Sequence, residues 1–382
     1  MPQPIAHYWV IENSLNDLSS QSRAGLWNEY QNQAVLGSIF PDLMYMSGVP
    51  QVAGMTRKGP KVNHSNISNI MHWDGFLDFY CAMLDYIKQL SESDTKDKLK
   101  AFSFGVASHF AADAEAHPRV YSITGDNPFS HKPDENYTRH KELESLLDIF
   151  IIGRRGETYR TFNYGHRFIS HAEDSNRTLD DDIFKLVVHG LEKAYAGKIF
   201  GSYGIDYETA FKALEGTSSH PIRESYRDLV TLYGNFSNYP FLIPLARSFP
   251  FFPQRFKVLL PRLRIPVSDL HKIEPDPRQR WVQSDNEHIP DLSFPELLEV
   301  AVADTKAIIT ESENFFASGY ASSRKYFSAK SQHVPILHDN INMDTGNLAM
   351  WNDEIKRLTT SQARLEFRLE EIVERHRWAK AA

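Results

Sequence analysis

Apolar residues recur at helical spacing over most of the first 240 positions, and almost no stretch alternates as a half-buried strand would. The spacing predicts a first helix over Pro4 to Leu18 and a second from Ser22, as N-cap, to Leu36, with Gly37 as its stop. Pro41 then sets a turn from which Asp42 projects, and residues 48–69, rich in Gly, Pro, Asn and Ser, read as a loop. His72-Trp73-Asp74 opens a strongly apolar helix to about Leu90, and Ser91–Lys98 connects it to a helix over Leu99–His117. Pro118 biases His117 away from αR, which places it in a last turn before a loop over 119–133. Further helices are predicted at Glu135–Ile152 with Asp134 as cap, Asp181–Ile199, Tyr207–Leu214, Ile222–Tyr233 and Ser293–Phe316. Met350–Lys380 reads as a long charged helix whose Leu369–Glu374 turn is a solvated face.

Between residues 239 and 290 the pattern breaks into prolines, clustered aromatics and bases, as in Phe249-Pro250-Phe251-Phe252-Pro253 with Arg255, Lys257 and Arg262. We read it as an irregular segment wrapping the helical core; the alternative is an interfacial element that touches lipid.

One helix carries most of the candidate chemistry. His109, Asp113 and His117 each stand four residues from the next, so imidazole, carboxylate and imidazole form a column on one face. Small residues, mainly Ala and Ser, surround them. Burying such groups without partners costs several kcal/mol, which favours a metal as their common partner. His and carboxylate donors suit zinc. Read alone, the column looks like one metal site; placed beside the other ligand-type residues, the rise of about 12 Å between His109 and His117, too long for one ion, argues for more than one. His140 and Glu144 repeat the four-residue spacing, and His7, Asp42 and His72 complete the ligand-type residues of the first 150 positions. A helical bundle could turn all of them inward. Asp74 and Glu115 read as solvated helix positions, the alternative being partners that support the ligands from behind, and His131, His166, His171, His189 and His338 lack a ligand partner at helical spacing.

Composition narrows the partners. The 382-residue chain is 41% hydrophobic and 24% charged, as expected of a globular protein with a sizeable core. A net charge of −7 gives no bulk attraction to nucleic acid or to an anionic bilayer. The single cysteine, Cys81, lies in an apolar run, reads as a core thiol, and excludes an internal disulfide. The first residues show neither a basic nor an apolar signal region, and no run suits a transmembrane helix. The expected location is therefore cytoplasmic, unless the chain is already processed or exported without an N-terminal signal.

The order His7, Phe40-Pro41-Asp42, His72-Trp73, Gly105-x3-His109-x3-Asp113-x3-His117-Pro118 and His140-x3-Glu144 resembles the zinc-dependent phospholipase C family. More distantly it is similar to the single-strand zinc nucleases of fungi and plants. The resemblance covers residues 5–150 by motif and extends to about 318 by helical pattern. It implies an all-α fold, a multi-helix bundle with a trinuclear-type zinc site. We expect a family domain over 1–320 and a C-terminal extension over 321–382.

Carried over, Asp42, His72, His109 and Asp113 hold one zinc, and His117, His140 and Glu144 a second. His7 and a bridging Asp113 hold a third. In relatives an N-terminal Trp completes that third site; this chain starts with Met1 and has His7 close behind. Asp42 is the candidate for orienting or deprotonating the attacking water. The implied substrate is a glycerophospholipid at a membrane surface, cleaved to diacylglycerol and a phosphorylated headgroup. The alternatives are phospholipase D-type or nuclease hydrolysis, the latter disfavoured by the acidic charge, or a non-catalytic helical protein with structural zinc. Choline-cleaving members place an aromatic after the turn Asp; Leu43 stands there, and Asn69 stands where another aromatic is expected. Tyr45 is the available substitute, so choline specificity is not expected.

Overall fold

The computed structural model describes residues 4–16, 21–47, 65–73, 75–124, 135–157, 162, 178–196, 199–200, 205–206, 220–238 and 294–330. These form an all-α bundle built on α1 (Pro4–Leu15), α2 (Gln21–Ile39), a 3-10 helix (Phe40–Met46), α3 (Ser65–Trp73), α4 (Phe76–Gln89) and α5 (Asp94–Thr124). α6 (Glu135–Arg154), α7 (Asp181–Tyr195), α8 (Pro221–Asn238), α9 (Phe294–Ala317) and α10 (Ser323–Lys330) follow. The extended structure among the described residues is one antiparallel pair, β1 (Ile199–Phe200) with β2 (Ile205–Asp206). The helix predicted at Tyr207–Leu214, the segment 239–290 and the Met350–Lys380 helix lie outside the described residues.

α5 is the central helix. α2 and α9 pack along it, α4 and α6 flank it, and α1 bridges α2, α6 and α9. From Ala101 to His117 it is buried on every side, with Ala101, Phe102, Phe104, Ala107, Phe110, Ala111 and Ala114 making most of its surface small or aromatic. A helix apolar all round has no solvent face and belongs inside. Phe110 stacks on Phe76 of α4 at 4.4 Å between ring centres.

α2 approaches α5 through two glycines. A Cβ on Gly105 would stand 2.0 Å from the Ala34 carbonyl oxygen, and one on Gly37 would stand 2.0 Å from that of Phe102. Gly37 was expected to end α2, yet the helix continues to Ile39. The residue is there for close packing, and the buried contact overrides its stop signal.

Three further expectations are corrected. α5 starts earlier than Leu99 and runs through Pro118 to Thr124. Proline removes one helical hydrogen bond, but Val120 and Thr124 are buried beyond it and the Thr124 hydroxyl bonds the Val120 carbonyl at 2.8 Å, so packing carries the helix past. His117 is therefore in a helix interior. His72 does not open the apolar helix: it lies in the last turn of α3, and α4 starts after Gly75 at φ 76°. Glycine enters that left-handed region at little cost. α7 ends at Tyr195, short of Ile199, which instead enters β1.

Salt links tie the outer helices to this frame. Arg155, just past α6, bridges Glu12 of α1 and Glu157. Arg23 of α2 meets Glu313 at 3.0 Å and Thr310 at 2.6 Å on α9. Ser22, expected as an N-cap, instead bonds Glu313 from inside α2. α10 docks on α4, where the Ser323 amide donates to Asp85 at 2.6 Å and its hydroxyl to the Cys81 carbonyl at 2.9 Å. Cys81 is buried as expected, and its burial pushes the thiol up to about 12.

Candidate metal centre

The 3-10 helix positions Asp42. Pro41 at its start favours the tight turn, and α3 and α8 pack on it. α3 delivers His72, α5 delivers His109, Asp113 and His117, α6 delivers His140 and Glu144, and α1 delivers His7. The eight residues expected from the sequence are thus gathered from five elements into one buried region.

They fall into two groupings. In the first, Asp42, His72, His109 and Asp113 each offer a ligand atom within 4.8 Å of the others. His72 Nε2 is 3.2 Å from both Asp42 Oδ1 and Asp113 Oδ2, and His109 Nε2 is 3.2 Å from Asp113 Oδ2. The second comprises His117, His140 and Glu144. Glu144 Oε1 lies 2.8 Å from His140 Nε2 and 3.5 Å from His117 Nε2. His109 and His117, too far apart on α5 for one ion, indeed face different groupings. Asp113 stands between them, with Oδ2 also 3.9 Å from His117 Nδ1. His7 lies against the first grouping, its Nε2 3.4 Å from Asp113 Oδ1 and 3.8 Å from Asp42 Oδ2, its ring stacked on His109 at 4.0 Å.

The histidine tautomers decide what this region is built for. His109 Nδ1 donates to the Ser38 carbonyl at 2.8 Å, and His72 Nδ1 donates to the Ser68 carbonyl at 2.7 Å. A carbonyl can only accept, so both Nδ1 atoms carry hydrogen and each neutral ring presents a lone pair at Nε2. Those two Nε2 atoms face each other at 3.2 Å. Two lone pairs at that distance repel unless a cation, a proton or a metal ion, lies between them. Around them, both oxygens of Asp113, Oδ1 of Asp42 and both nitrogens of His7 are buried without a hydrogen-bond partner. Buried polar atoms of this kind are costly, and those of Asp113, Asp42 and His7 Nε2 lie together where a metal would satisfy them. The residues fit zinc: N and O donors, open geometry, and backbone carbonyls that orient the imidazoles from behind.

A family model described as zinc dependent phospholipase C matches residues 6–197, about half of the chain. The chain belongs to the zinc-dependent phospholipase C family. All of the residues gathered above lie inside the matched span. No curated protein and no solved structure matches the chain. Family membership and the two groupings together support zinc as the metal.

Metal binding requires the ligands to be deprotonated, and here a proton must leave first. Burial would lower His72, but contact with Asp113 and Asp42 raises it to about 10. Burial, reinforced by His109, keeps His7 well below the ordinary imidazole range. Burial also opposes ionisation of Asp113 and Glu144. Neighbouring His109 and His7 nevertheless hold Asp113 low, and Lys141 with His140 hold Glu144 low. Lys141 Nζ donates to Glu144 Oε2 at 2.9 Å, which leaves Oε1 for the histidines. For His72, the raised folded value means its protonated form stabilises the zinc-free fold fully below about pH 6.5 and loses that effect as pH rises through about 10. Zinc must displace that proton. Apparent zinc affinity should therefore climb about tenfold per pH unit from pH 6 to 9, measured by chelator competition, with about one proton released per protein at pH 8. A flat profile would contradict the assignment of His72 as a ligand.

Some contributors escaped the sequence reading. The Ser38 and Ser68 carbonyls carry no side-chain signal. Lys141 could have been found from its i,i+3 spacing to Glu144. Glu115, expected on a solvated face, is fully buried, because α5 has no solvated face at that level. Asp74 lies outside the described residues. Leu43 is buried, and the Tyr45 hydroxyl donates to Asn69 Oδ1 at 2.6 Å with its ring 5.8 Å from His72. Tyr45 thus lies beside His72 of the first grouping, and Asn69 beside Tyr45. His189, half-buried, sits against Tyr86 rather than near the centre.

Proposed function

We propose that this protein is a phospholipase C that hydrolyses the phosphodiester of a glycerophospholipid to diacylglycerol and a phosphorylated headgroup. In this reading Asp42, His72, His109 and Asp113 hold one zinc, His117, His140 and Glu144 a second, and His7 with Asp113 a third. Bound there, zinc would bring the pKa of water toward about 7 and neutralise charge on the phosphodiester. The protein's own groups do the rest. Asp42 orients the attacking water and accepts its proton. It is the ligand-type carboxylate that reaches the surface of the centre, its side chain 7% exposed against 0% for Asp113 and Glu144. Ser38 and Ser68 hold the His109 and His72 rings so that Nε2 points inward. The observation that carries the proposal is the pair of Nε2 atoms facing each other at 3.2 Å among buried carboxylate oxygens in a chain of this family.

We place the family domain over 1–320 and an extension over 321–382. The substrate would be met at a membrane surface by peripheral contact; no helix among the described residues is long and apolar enough to cross a membrane. The test is zinc analysis of the purified protein combined with product analysis on a phospholipid panel and on single-stranded DNA. The expected result is two to three zinc equivalents after loading, with diacylglycerol and a phosphorylated headgroup released. Phosphatidic acid as product would move the bond choice to phospholipase D, and DNA cleavage without lipid turnover would make the protein a nuclease. Fewer than two zinc equivalents after loading would remove the centre as drawn.

A further inference from the structure

α6 carries a column of its own. His140, Glu144 and Asp148 are four residues apart and lie along one face, as His109, Asp113 and His117 do on α5. The first two enter the second grouping. Asp148 is buried and reaches a different target: Oδ1 accepts the backbone N–H of Ala6 at 3.1 Å, and Oδ2 that of Ile5 at 3.4 Å. Both amides belong to the first turn of α1, where N–H groups have no acceptor within the helix. A carboxylate there satisfies them and is favoured again by the helix dipole.

His7 is the next residue. Its ring is stacked on His109, and its Nε2 faces Asp113 and Asp42. Successive helical residues differ by about 100° around the axis, so a small rotation of this turn would swing the ring out of the centre. Two hydrogen bonds, one to each carboxylate oxygen, hold both the rotation and the height of the turn. Arg155 bridging to Glu12 secures the far end of α1 on the same side.

We propose that Asp148 is the positioning residue for His7, clamping the first turn of α1 so that the imidazole is held in the ion cluster. This rests on the reading of His7 as a zinc ligand. It makes α6 serve the centre twice, directly through His140 and Glu144 and indirectly through Asp148.

The test compares wild type with His7→Ala, Asp148→Ala, Asp148→Asn and the His7→Ala/Asp148→Ala double variant. Zinc stoichiometry and affinity are read by chelator competition, and zinc-free thermal stability is read alongside. His7→Ala should abolish the weakest zinc site. Asp148→Ala should weaken that same site by about 10- to 100-fold and leave the tighter zinc unchanged. Asp148→Asn, which keeps one acceptor, should fall between the two and serves if Asp148→Ala does not fold. In the His7→Ala background, Asp148→Ala should have no further effect on zinc. If Asp148→Ala lowers thermal stability alone and leaves every zinc affinity intact, Asp148 is only a helix anchor and the proposal falls. It falls equally if the effect of Asp148→Ala on zinc persists without His7. If His7→Ala itself leaves zinc binding unchanged, the ligand reading of His7 fails, and the proposal with it.

Discussion

Asp42→Asn is expected to lower phosphodiester hydrolysis by roughly 10²- to 10⁴-fold at saturating zinc, while the helical content of the protein stays that of wild type. The substitution keeps the shape of the side chain and an oxygen toward the ions, but it removes the charge that would accept a proton from water. The geometry makes this informative. Asp42 Oδ1 lies 3.2 Å from His72 and Oδ2 3.8 Å from His7, so the carboxylate spans the part of the centre where water and substrate would meet. A purely structural zinc predicts the opposite pattern, with lost stability and no turnover to lose. The measurement is kcat on the cleaved phospholipid under zinc saturation, with circular dichroism of the same sample. Turnover equal to wild type would end the assignment of Asp42 as the group acting on water.

Gly105→Val should cost about 3 kcal/mol or more, at the upper end of overpacking penalties, in denaturant unfolding of the zinc-free protein. Its first added carbon would overlap the Ala34 carbonyl at 2.0 Å and crowd the Ser38 amide at 2.8 Å and Gly37 Cα at 2.9 Å. These are backbone atoms and cannot rotate away, so α2 must move off α5. The same movement would pull the Ser38 carbonyl from His109 Nδ1. Zinc affinity should therefore fall together with stability. Gly153→Ala is the control. Gly153 lies in α6 with nothing within 4 Å of an added Cβ, so it should be neutral or gain about 0.5–1 kcal/mol. Comparable losses in both variants would mean that the close α2–α5 contact is not what holds the first grouping together.

The candidate site was more legible than the helix boundaries. Ligand-type residues four apart on a helix share a face whatever surrounds them, so the His109, Asp113, His117 column and the His140, Glu144 pair could be read from spacing alone. Boundaries are set by competition between weak local preferences and burial. Gly37 and Pro118 both read as stops, and at both the helix continues because the turns beyond are packed in the core. At His72 the error ran the other way. The Asp74-Gly75 pair stands at a break that Gly75 makes with a left-handed backbone, and that break is what lets α3 aim His72 at His109.

The sequence by itself determined that the chain is helical, which side chains could hold a metal, and that His109 and His117 could not share one ion. These follow from periodicity and rise, which are local. Only the tertiary structure decided that Asp42 and His72 meet His109 and Asp113, that Asp113 stands between two groupings, and that two backbone carbonyls set the tautomers that aim both Nε2 atoms at one point. It also assigned Asp148 to the first turn of α1, a partner more than 140 residues away. Such contacts depend on how the helices are stacked. Backbone carbonyls are the same in every residue, so no pattern of side chains could have announced them.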